Sequence, residues 1–349
     1  MTAAVITAWE VYSPLGHGAE AHLAGLRAAP DRRTRVDGFE VREVLGKAGT
    51  RSMDRVAGLA VATTRRLLER VGGPGEPVSG YTAETVGLVL GTGDGVRSVS
   101  DFVRDTWTRD KPYDVDPSHI PRTLMNYAAG QCAIWHGLKG PNVTICGSHA
   151  TGLLALNYAR RLRQNGHAGA TVWGAVEECS DERAALEAAR SSGRGQLPQA
   201  EGCAMFLLES ADAIGGGRTP LAEVLAVEFG VWDDADATGE ALARCLRRAM
   251  KRAGADPDDV SAVALSVTQG PFADAERAAA VEVLGPVPTL TATVDAVGDT
   301  RAVSAAFQIA ELLAQPSAAG RIGAVVTTDA EGRVGCALLQ TCCPRSAGN

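Results

Sequence analysis

The sequence has no long hydrophobic run and no amino-terminal targeting pattern. No apolar stretch approaches the roughly 18 residues that a helix needs to cross a bilayer. The opening residues, MTAAVI, lack the charged region followed by a long apolar core that marks a secretory signal peptide. We therefore expect a cytoplasmic protein that does not enter a membrane.

An excess of positive charge, paired cysteines and metal-ligand spacings are also missing. The net charge of −7 argues against nucleic acid as the main partner, although an acidic carrier protein would need only a local basic patch. The eight cysteines form no CxxC pair, and most lie in apolar segments, where a reduced cysteine is a small core residue. The histidines show no metal spacing, and GTGDG at 91–95 lacks the GK[ST] ending of a phosphate loop. We expect neither a metal nor a cofactor.

What the sequence does contain is an alternation of apolar runs and amphipathic segments. Hydrophobic residues make up 45% of the chain and glycine contributes 40 residues, which is typical of an α/β protein with many turns. The alternation occurs twice, and the glycine-bearing stretch 210–219 separates the two series. The pattern predicts an α/β fold of two β/α halves, at 1–212 and 218–349, in stacked layers.

In the second half, the pattern predicts strands at 262–268 and 289–293 and a helix at 300–313. In the first half, a short strand is predicted at 142–146 and a helix at 125–136.

Several motifs resemble the β-ketoacyl-carrier-protein synthase family of the thiolase fold, in the order that the family shows them. IT at 6–7, SPLG at 13–16 and MDR at 53–55 match its first strand, first turn and first long helix. The most specific stretch runs from 120 to 152 and contains AGQ, GLKGPN and ATG at family spacing. EGCA at 201–204 matches the family's Glu-Gly-Ala-Gly element. The resemblance covers nearly the whole chain and implies a thiolase-like fold with α-β-α-β-α layers.

The positions that carry catalysis in that family hold other residues here. Counting back three residues from Gly152 places His149 where the family has its nucleophilic cysteine. Gln269 in VTQGP takes the place of the first catalytic histidine, and Asp299 in VDAVGD that of the second. A cysteine at a helix amino terminus is favoured as a thiolate, whereas an imidazole there forms only a labile acyl adduct. An ionised aspartate would repel the oxyanion that the family's histidines stabilise. We predict that no catalytic residue is intact.

The family's Gly-Phe-Gly-Gly gating loop is also missing. The segment that matches it, TTDAEGRV at 327–334, contains no phenylalanine. A chain that does not close on a substrate of its own can lose such a loop.

These departures resemble a chain-length factor, the non-catalytic ketosynthase partner of type II polyketide synthases. The resemblance implies a heterodimer with a catalytic ketosynthase, served by an acyl carrier protein, in which the acyl chain extends from the partner's cysteine towards the interface. His119 corresponds to the position from which homodimeric relatives place a side chain across that interface. The residues expected to line the end of the tunnel, or else only to seal the interface, are Pro117, Ser118, His119, Ile120, Thr123 and Leu124.

Two other hypotheses remain open at this point. An acyltransferase or hydrolase of altered chemistry would use Cys146 or Ser148 as its nucleophile and His149 as its base. Against it, the neighbouring Ser148 and His149 side chains point apart in most backbones, and no recognisable motif supplies a carboxylate to orient the histidine. A scaffold pseudoenzyme would instead dock the carrier protein, for example through Arg65 and Arg66, and shape no pocket.

Overall fold

The computed structural model describes residues 2–28, 32–93, 95–190, 197–290, 292–315 and 318–342. Its strands are β1 (Ala4–Ser13), β2 (Gly16–His17), β3 (Val86–Thr92), β4 (Asn142–Cys146), β5 (Ala170–Glu177), β6 (Gly202–Ser210), β7 (Ala222–Val231), β8 (Val260–Ala264), β9 (Thr289–Leu290), β10 (Ile322–Thr328) and β11 (Arg333–Thr341). Its α-helices are α1 (Ala19–Arg27), α2 (Val41–Leu45), α3 (Arg55–Val71), α4 (Val96–Thr108), α5 (Tyr127–His136), α6 (Thr151–Gln164), α7 (Asp181–Arg190), α8 (Thr238–Ala253), α9 (Pro271–Leu284), α10 (Ala292–Val297) and α11 (Ser304–Ala314). Two 3₁₀ helices, Pro117–Thr123 and Arg301–Val303, also take part in the sites described below.

The strands form one mixed sheet in which the same strand order occurs twice. The order is β4-β3-β5-β6-β1-β7-β11-β10-β8-β9, and β2 pairs with β1. If the two-residue strand β2 is not counted, each half places its first, fifth, fourth, second and third strand outward from the antiparallel β1–β7 pair. The inner pairs of each half are antiparallel and the outer pairs are parallel. β4 therefore lies at one edge of the sheet, beside β3 alone among the described strands.

Three hydrophobic clusters place helices between the two halves and on both outer faces. One packs α6 and α11 between the halves, where Trp173 stacks on Phe206 with ring centroids 4.5 Å apart. A second packs α3 and α5 against the outer face of the first half, and a third packs α8 and α9 against that of the second. The layers are therefore α-β-α-β-α, which confirms the predicted fold class. In the described ranges, no helix is long and apolar enough to cross a membrane.

The strand predicted at 262–268 is wrong at its carboxyl end. β8 ends at Ala264, and the backbone N–H and the hydroxyl of Ser266 both donate to the buried carboxylate of Glu276 in α9. A side-chain acceptor from a later helix thus takes the place of ladder pairing. The local apolar pattern carries no trace of it.

The strand predicted at 289–293 and the helix predicted at 300–313 are also wrong in part. β9 is only two residues long, and α10 follows it, with the Thr293 N–H donating to Glu311 of α11 at 3.2 Å. Arg301 has a φ of 39°, a region that residues other than glycine rarely occupy. A 3₁₀ turn therefore precedes α11, which begins four residues later than predicted at Ser304.

The sequence analysis assigns no helix to the segments that form α4 and α7. α4 contains several β-branched residues, which have modest helix propensity, and it packs against α7 and the 3₁₀ helix Pro117–Thr123. Tertiary contacts therefore outweigh local preference in α4. α7 begins with Asp181 and Glu182, which favour a helix amino terminus and were an available signal.

A buried ion pair holds the start of α3 against the sheet. Arg55 donates to both carboxylate oxygens of Glu201, at 2.9 and 2.6 Å, and to the backbone carbonyls of Phe39 and Val36. The Glu201 side chain is fully buried and also accepts the backbone N–H of Val36. Because no water reaches this carboxylate, removal of its cation would leave an uncompensated buried charge.

Replacement of Arg55 tests this role. Arg55→Met should lower the free energy of unfolding by about 3 kcal/mol, and adding Glu201→Gln should restore part of the loss by removing the unpaired charge. Urea unfolding of the two variants measures both effects. As a control, Glu69→Gln, which breaks the exposed Arg65–Glu69 pair, should cost at most about 0.5 kcal/mol. Equal losses for Arg55→Met and the control would contradict the assignment.

Candidate functional site

The amino-terminal ends of α6 and α11 meet in the middle layer. A Cβ atom on Gly152, the second residue of α6, would lie 2.9 Å from the backbone nitrogen of Ala306 in α11, so the close approach requires glycine. Each helix amino terminus carries a partial positive charge, and the two therefore create a shared region of positive potential. His149 precedes α6 and Asp299 precedes α11 at this place.

His149 and Asp299 form a direct ion pair across the two halves of the molecule. The His149 Nε2 atom lies 2.8 Å from Asp299 Oδ1, and His149 Nδ1 lies 3.1 Å from the Ser148 hydroxyl. Asp299 Oδ1 also accepts the backbone N–H of Arg301 at 2.9 Å, which fixes the carboxylate in place. The His149 and Asp299 side chains are 22% and 27% exposed, so solvent reaches the pair only in part.

The electrostatics of the pair favour its charged form. Burial by itself would lower the pKa of His149, but the Asp299 carboxylate outweighs it and raises that pKa. Burial by itself would raise the pKa of Asp299, but His149 and then Arg183 hold it well below its usual range. The raised pKa favours the imidazolium form, in which both ring nitrogens donate hydrogen bonds. A protonated ring has no lone pair with which to accept the proton of the Ser148 hydroxyl.

One argument made from the sequence about this site is wrong, and a second is incomplete. The Ser148 and His149 side chains do not point apart, because the turn into α6 brings the hydroxyl to the ring. A carboxylate does orient the histidine, but it is Asp299, 150 positions away along the chain. The sequence analysis identified Asp299 at a second degenerate catalytic position but did not pair it with His149.

The structure does not bring the other candidate residues into this pair. The Gln269 side chain is exposed, on the turn before α9, and within the described ranges it makes no hydrogen bond to His149 or Asp299. The Cys146 thiol, at the end of β4, donates to the carbonyl of Gly93 at 3.1 Å. No group of three or more acidic, histidine or cysteine side chains that could hold a metal occurs in the part of the chain that the structure describes.

Arg301 and Arg183 belong to the site although the sequence analysis did not identify them. The Arg301 guanidinium bonds Glu187 at 2.8 Å and Glu331 at 3.1 Å, and only 5% of its side chain is exposed. Arg183 donates to the carbonyl of Asp299 at 3.3 Å. Neither arginine lies in a motif. Each belongs to the site through contacts with residues of other elements, which the local sequence does not show.

The segment 327–334 contains the tight turn between β10 and β11 and lies beside the site. The buried Asp329 carboxylate accepts the backbone N–H groups of Glu331 and Arg333, both at 3.0 Å. Glu331 in turn contacts Arg301, so the turn is tied to the residues around the ion pair.

Comparison with known proteins assigns this chain to a family. The model of the β-ketoacyl synthase amino-terminal domain matches residues 34–213, which is more than half of the chain. The chain belongs to the β-ketoacyl synthase family. A Vibrio cholerae relative described as 3-oxoacyl-acyl-carrier-protein synthase 2 is 27% identical over 313 residues, covering 77% of this chain and 74% of that protein.

Solved structures of the β-ketoacyl synthase family show the same architecture. A chain of the structure described as the ishigamide ketosynthase/chain length factor is 37% identical, with a TM-score of 0.85 over 97% of this chain and 99% of that one. A structure of a type II polyketide-synthase acyl-carrier protein in complex with its ketosynthase bound to the hexaketide superposes with a TM-score of 0.78 over 97% of this chain and 99% of that chain. It is 18% identical, and the likeness extends to the fold alone.

Exposed apolar residues lie on neighbouring elements near the edge strand β4: α4 and α5 each contact the 3₁₀ helix Pro117–Thr123, and α5 also contacts β4. The six residues predicted to line a tunnel lie together on the 3₁₀ helix Pro117–Thr123 and at its carboxyl end, where Pro117, Ser118, Ile120 and Leu124 are exposed and His119 and Thr123 are half-buried. Trp107 on α4 is 83% exposed and Ile134 on α5 is 77% exposed. We define the apolar face as the exposed residues Val99, Val103, Trp107, Tyr113, Ile120, Leu124, Met125 and Ile134.

The pH dependence of stability tests the ion pair. Folding raises the pKa of His149, so its contribution is complete below the ordinary imidazole value of 6.5 and is lost as the pH rises through the higher folded value. Folding lowers the pKa of Asp299, so that contribution is present above the ordinary value of 3.8 and is lost as the pH falls. At about pH 6, His149→Gln and Asp299→Asn should each cost about 2 kcal/mol of unfolding free energy.

The measurement is urea unfolding of each variant and the wild type from about pH 5 to about pH 9. The difference in unfolding free energy between the wild type and each variant should shrink with rising pH, by at most about 1.4 kcal/mol per pH unit. Each variant is compared with the wild type because other histidines also make stability depend on pH. Burial lowers the pKa of His22 and of His136 to about 4, so their effect is to raise stability as the pH rises. His167→Gln, at an exposed position, is the control. A difference that does not vary with pH would overturn the ion-pair assignment.

Proposed function

We propose that this member of the β-ketoacyl synthase family is a non-catalytic, chain-length-factor subunit of a type II polyketide synthase. The observation that carries the proposal is the His149–Asp299 ion pair at the position where the family resemblance expects a nucleophilic cysteine. A histidine side chain provides no thiolate to accept an acyl group, and a carboxylate beside it repels a developing oxyanion. Condensation therefore falls to a partner ketosynthase.

The similarity to the ishigamide ketosynthase/chain length factor supports the same assignment. It extends over nearly the whole of both chains at 37% identity, which is higher than the 27% shared with the Vibrio cholerae synthase. The proposed partners are a catalytic ketosynthase in a heterodimer, and an acyl carrier protein with its acyl chain.

The apolar face and the edge of β4 support a heterodimer. An edge strand leaves N–H and C=O groups open to pairing with another chain. Large exposed apolar patches on soluble proteins mark interaction sites, and aromatic residues such as Trp107 are enriched there. We assign this surface to the partner ketosynthase, whose cysteine would then send the acyl chain towards it.

The chain-length role follows from the position of the 3₁₀ helix Pro117–Thr123 within the apolar face. Ile120 and Leu124 are half exposed, so their side chains are available to a chain that arrives across the interface. The His119 Nδ1 atom lies 3.9 Å from the carboxylate of Asp105 in α4, beyond hydrogen-bond distance. We propose that the six residues 117–120, 123 and 124 form the wall at which the chain stops.

A second candidate, hydrolysis of an acyl thioester, is favoured by one observation. Ser148, His149 and Asp299 form a hydrogen-bonded series of the three residue types used by serine hydrolases. The raised pKa of His149 works against it, because it favours the protonated ring, which cannot take up the proton of the Ser148 hydroxyl. The experiment below separates the two candidates.

We also propose that the protein acts in the cytoplasm. The buried cysteines Cys132, Cys203 and Cys336 are thiols within the core, as is usual in a reducing compartment. Burial raises the pKa of Cys132 to about 12, which keeps that thiol unreactive.

Co-expression tests the partnership. We expect this chain, produced with the ketosynthase encoded nearest to it and purified through a tag on this chain, to form a one-to-one heterodimer in light scattering. Mass spectrometry after incubation with an acyl donor should find the acyl group on the partner alone. Ile134→Lys, which places a charge on the apolar face, should weaken the complex at least about tenfold.

Val281→Lys is the matched control, because Val281 is also exposed but lies on α9 at the opposite outer layer. A homodimer that ignores the ketosynthase and becomes acylated itself would overturn the proposal. Loss of that acylation in Ser148→Ala would then establish the hydrolytic candidate.

Substitution of Leu124 tests the chain-length role. In the active complex, Leu124→Ala should lengthen the product by about one two-carbon unit, because the substitution frees a volume of that order. Leu124→Phe should shorten it. Liquid chromatography with mass spectrometry measures the distribution, with Val281→Ala as the control. Unchanged product lengths in an intact, active complex would favour a scaffold role over a chain-length role.

A further inference from the structure

A small cavity with charged side chains at its base lies beside the apolar face. It has a volume of about 40 Å³, and two of its lining residues, Leu124 and Met125, are each 56% exposed on that face. The cavity therefore adjoins the segment proposed to stop the acyl chain. By volume it holds about three water molecules, or the last few atoms of a chain.

The inner wall of the cavity carries charged side chains of both signs that are almost fully buried. Glu177 and Glu178, at the end of β5, are each 5% exposed, and Arg183 of α7 is 3% exposed. Gly93 makes room for Glu177, since a Cβ atom there would lie 2.4 Å from the Glu177 Oε2 atom. A cavity that only closed off a hydrocarbon chain would not need charged side chains at its base.

Two buried atoms of this wall have no hydrogen-bond partner. They are the acceptor Oε2 of Glu177 and the donor Nε of Arg183. Asp54 also lines the cavity, but each of its carboxylate oxygens has a partner: one accepts the Ala57 backbone N–H at 2.9 Å and the other the Ser98 hydroxyl at 3.0 Å. Buried polar atoms without partners are costly, so the cavity favours an occupant that can both donate and accept.

The Glu178 carboxyl group adds a further donor. Burial raises its pKa to about 8, and the Asp54 carboxylate adds to the rise, so Glu178 holds its proton at neutral pH. A neutral carboxyl group donates one hydrogen bond, whereas Glu177 beside it offers an acceptor. A hydroxyl group satisfies both, because it donates one hydrogen bond and accepts up to two.

We propose that this cavity binds a hydroxyl group at the distal end of the acyl chain, with Glu178 as donor and Glu177 as acceptor. The inference rests on the proposed function and deepens it. The subunit then sets not only where the chain stops but which chain end is accepted. Chains that begin from a hydroxylated starter unit are favoured over purely hydrocarbon ones.

A competition experiment with the heterodimer tests the inference. An ω-hydroxyacyl thioester and the alkyl thioester of equal chain length are offered together for one round of extension, and mass spectrometry gives the product ratio. The wild-type complex should prefer the hydroxylated chain by about threefold to tenfold, the range expected for one net hydrogen bond. Glu178→Leu should abolish or reverse the preference, and Glu178→Gln, which keeps a donor, should retain most of it.

Asp181→Asn is the matched control, since its side chain is fully exposed on the same helix as Arg183, and it should leave the ratio unchanged. Glu178→Ala takes the place of Glu178→Leu if the larger apolar side chain prevents assembly. An active complex with no preference, or with the same preference in Glu178→Leu and Glu178→Ala, would overturn this inference alone. Failure of the heterodimer to form or to extend either thioester would overturn the proposed function, and this inference with it.

Discussion

The meeting of two helix amino termini at the centre of the molecule is the constraint on which the rest of the site depends. α6 and α11 come from different halves, and their contact at Gly152 needs the absence of a side chain. The shared positive potential favours an anion there. In the family that this chain resembles, a thiolate can be that anion. Here the carboxylate of Asp299 takes the position, and it stabilises a cation on His149 that the dipoles alone would oppose.

The exchange of a thiolate for an ion pair preserves the fold while it removes the chemistry. The hydrogen bonds of Asp299 to His149 and to the Arg301 backbone join the turns before the two central helices, as the catalytic residues of an active relative would. Arg183, Arg301 and the turn at 327–334 then serve to hold the ion pair and its surroundings in place. The surface turned towards a partner is under no such constraint, and it keeps its apolar residues exposed.

Function therefore moves from the centre of the chain to its boundary with another protein. The 3₁₀ helix Pro117–Thr123, which we propose as the wall, and the cavity with charged residues at its base adjoin one another at Leu124. A subunit without a nucleophile still determines a product if it shapes the space into which a partner's chain grows. Glu177 and Glu178 make that space chemically selective as well as limited in length.

The sequence by itself determined the two-halved α/β fold, the family resemblance and the identity of the residues at the degenerate positions. These depend on local periodicity and on short motifs, and β4 was placed at its observed bounds. Only the tertiary structure decided that His149 pairs with Asp299, that Gln269 faces solvent and that Glu177 and Glu178 line a cavity. It also decided that the strand predicted at 262–268 ends at Ala264, because the Ser266 N–H donates to Glu276. In each case the deciding contact joins residues from different elements, and a pairing between distant segments leaves no periodic mark on either one.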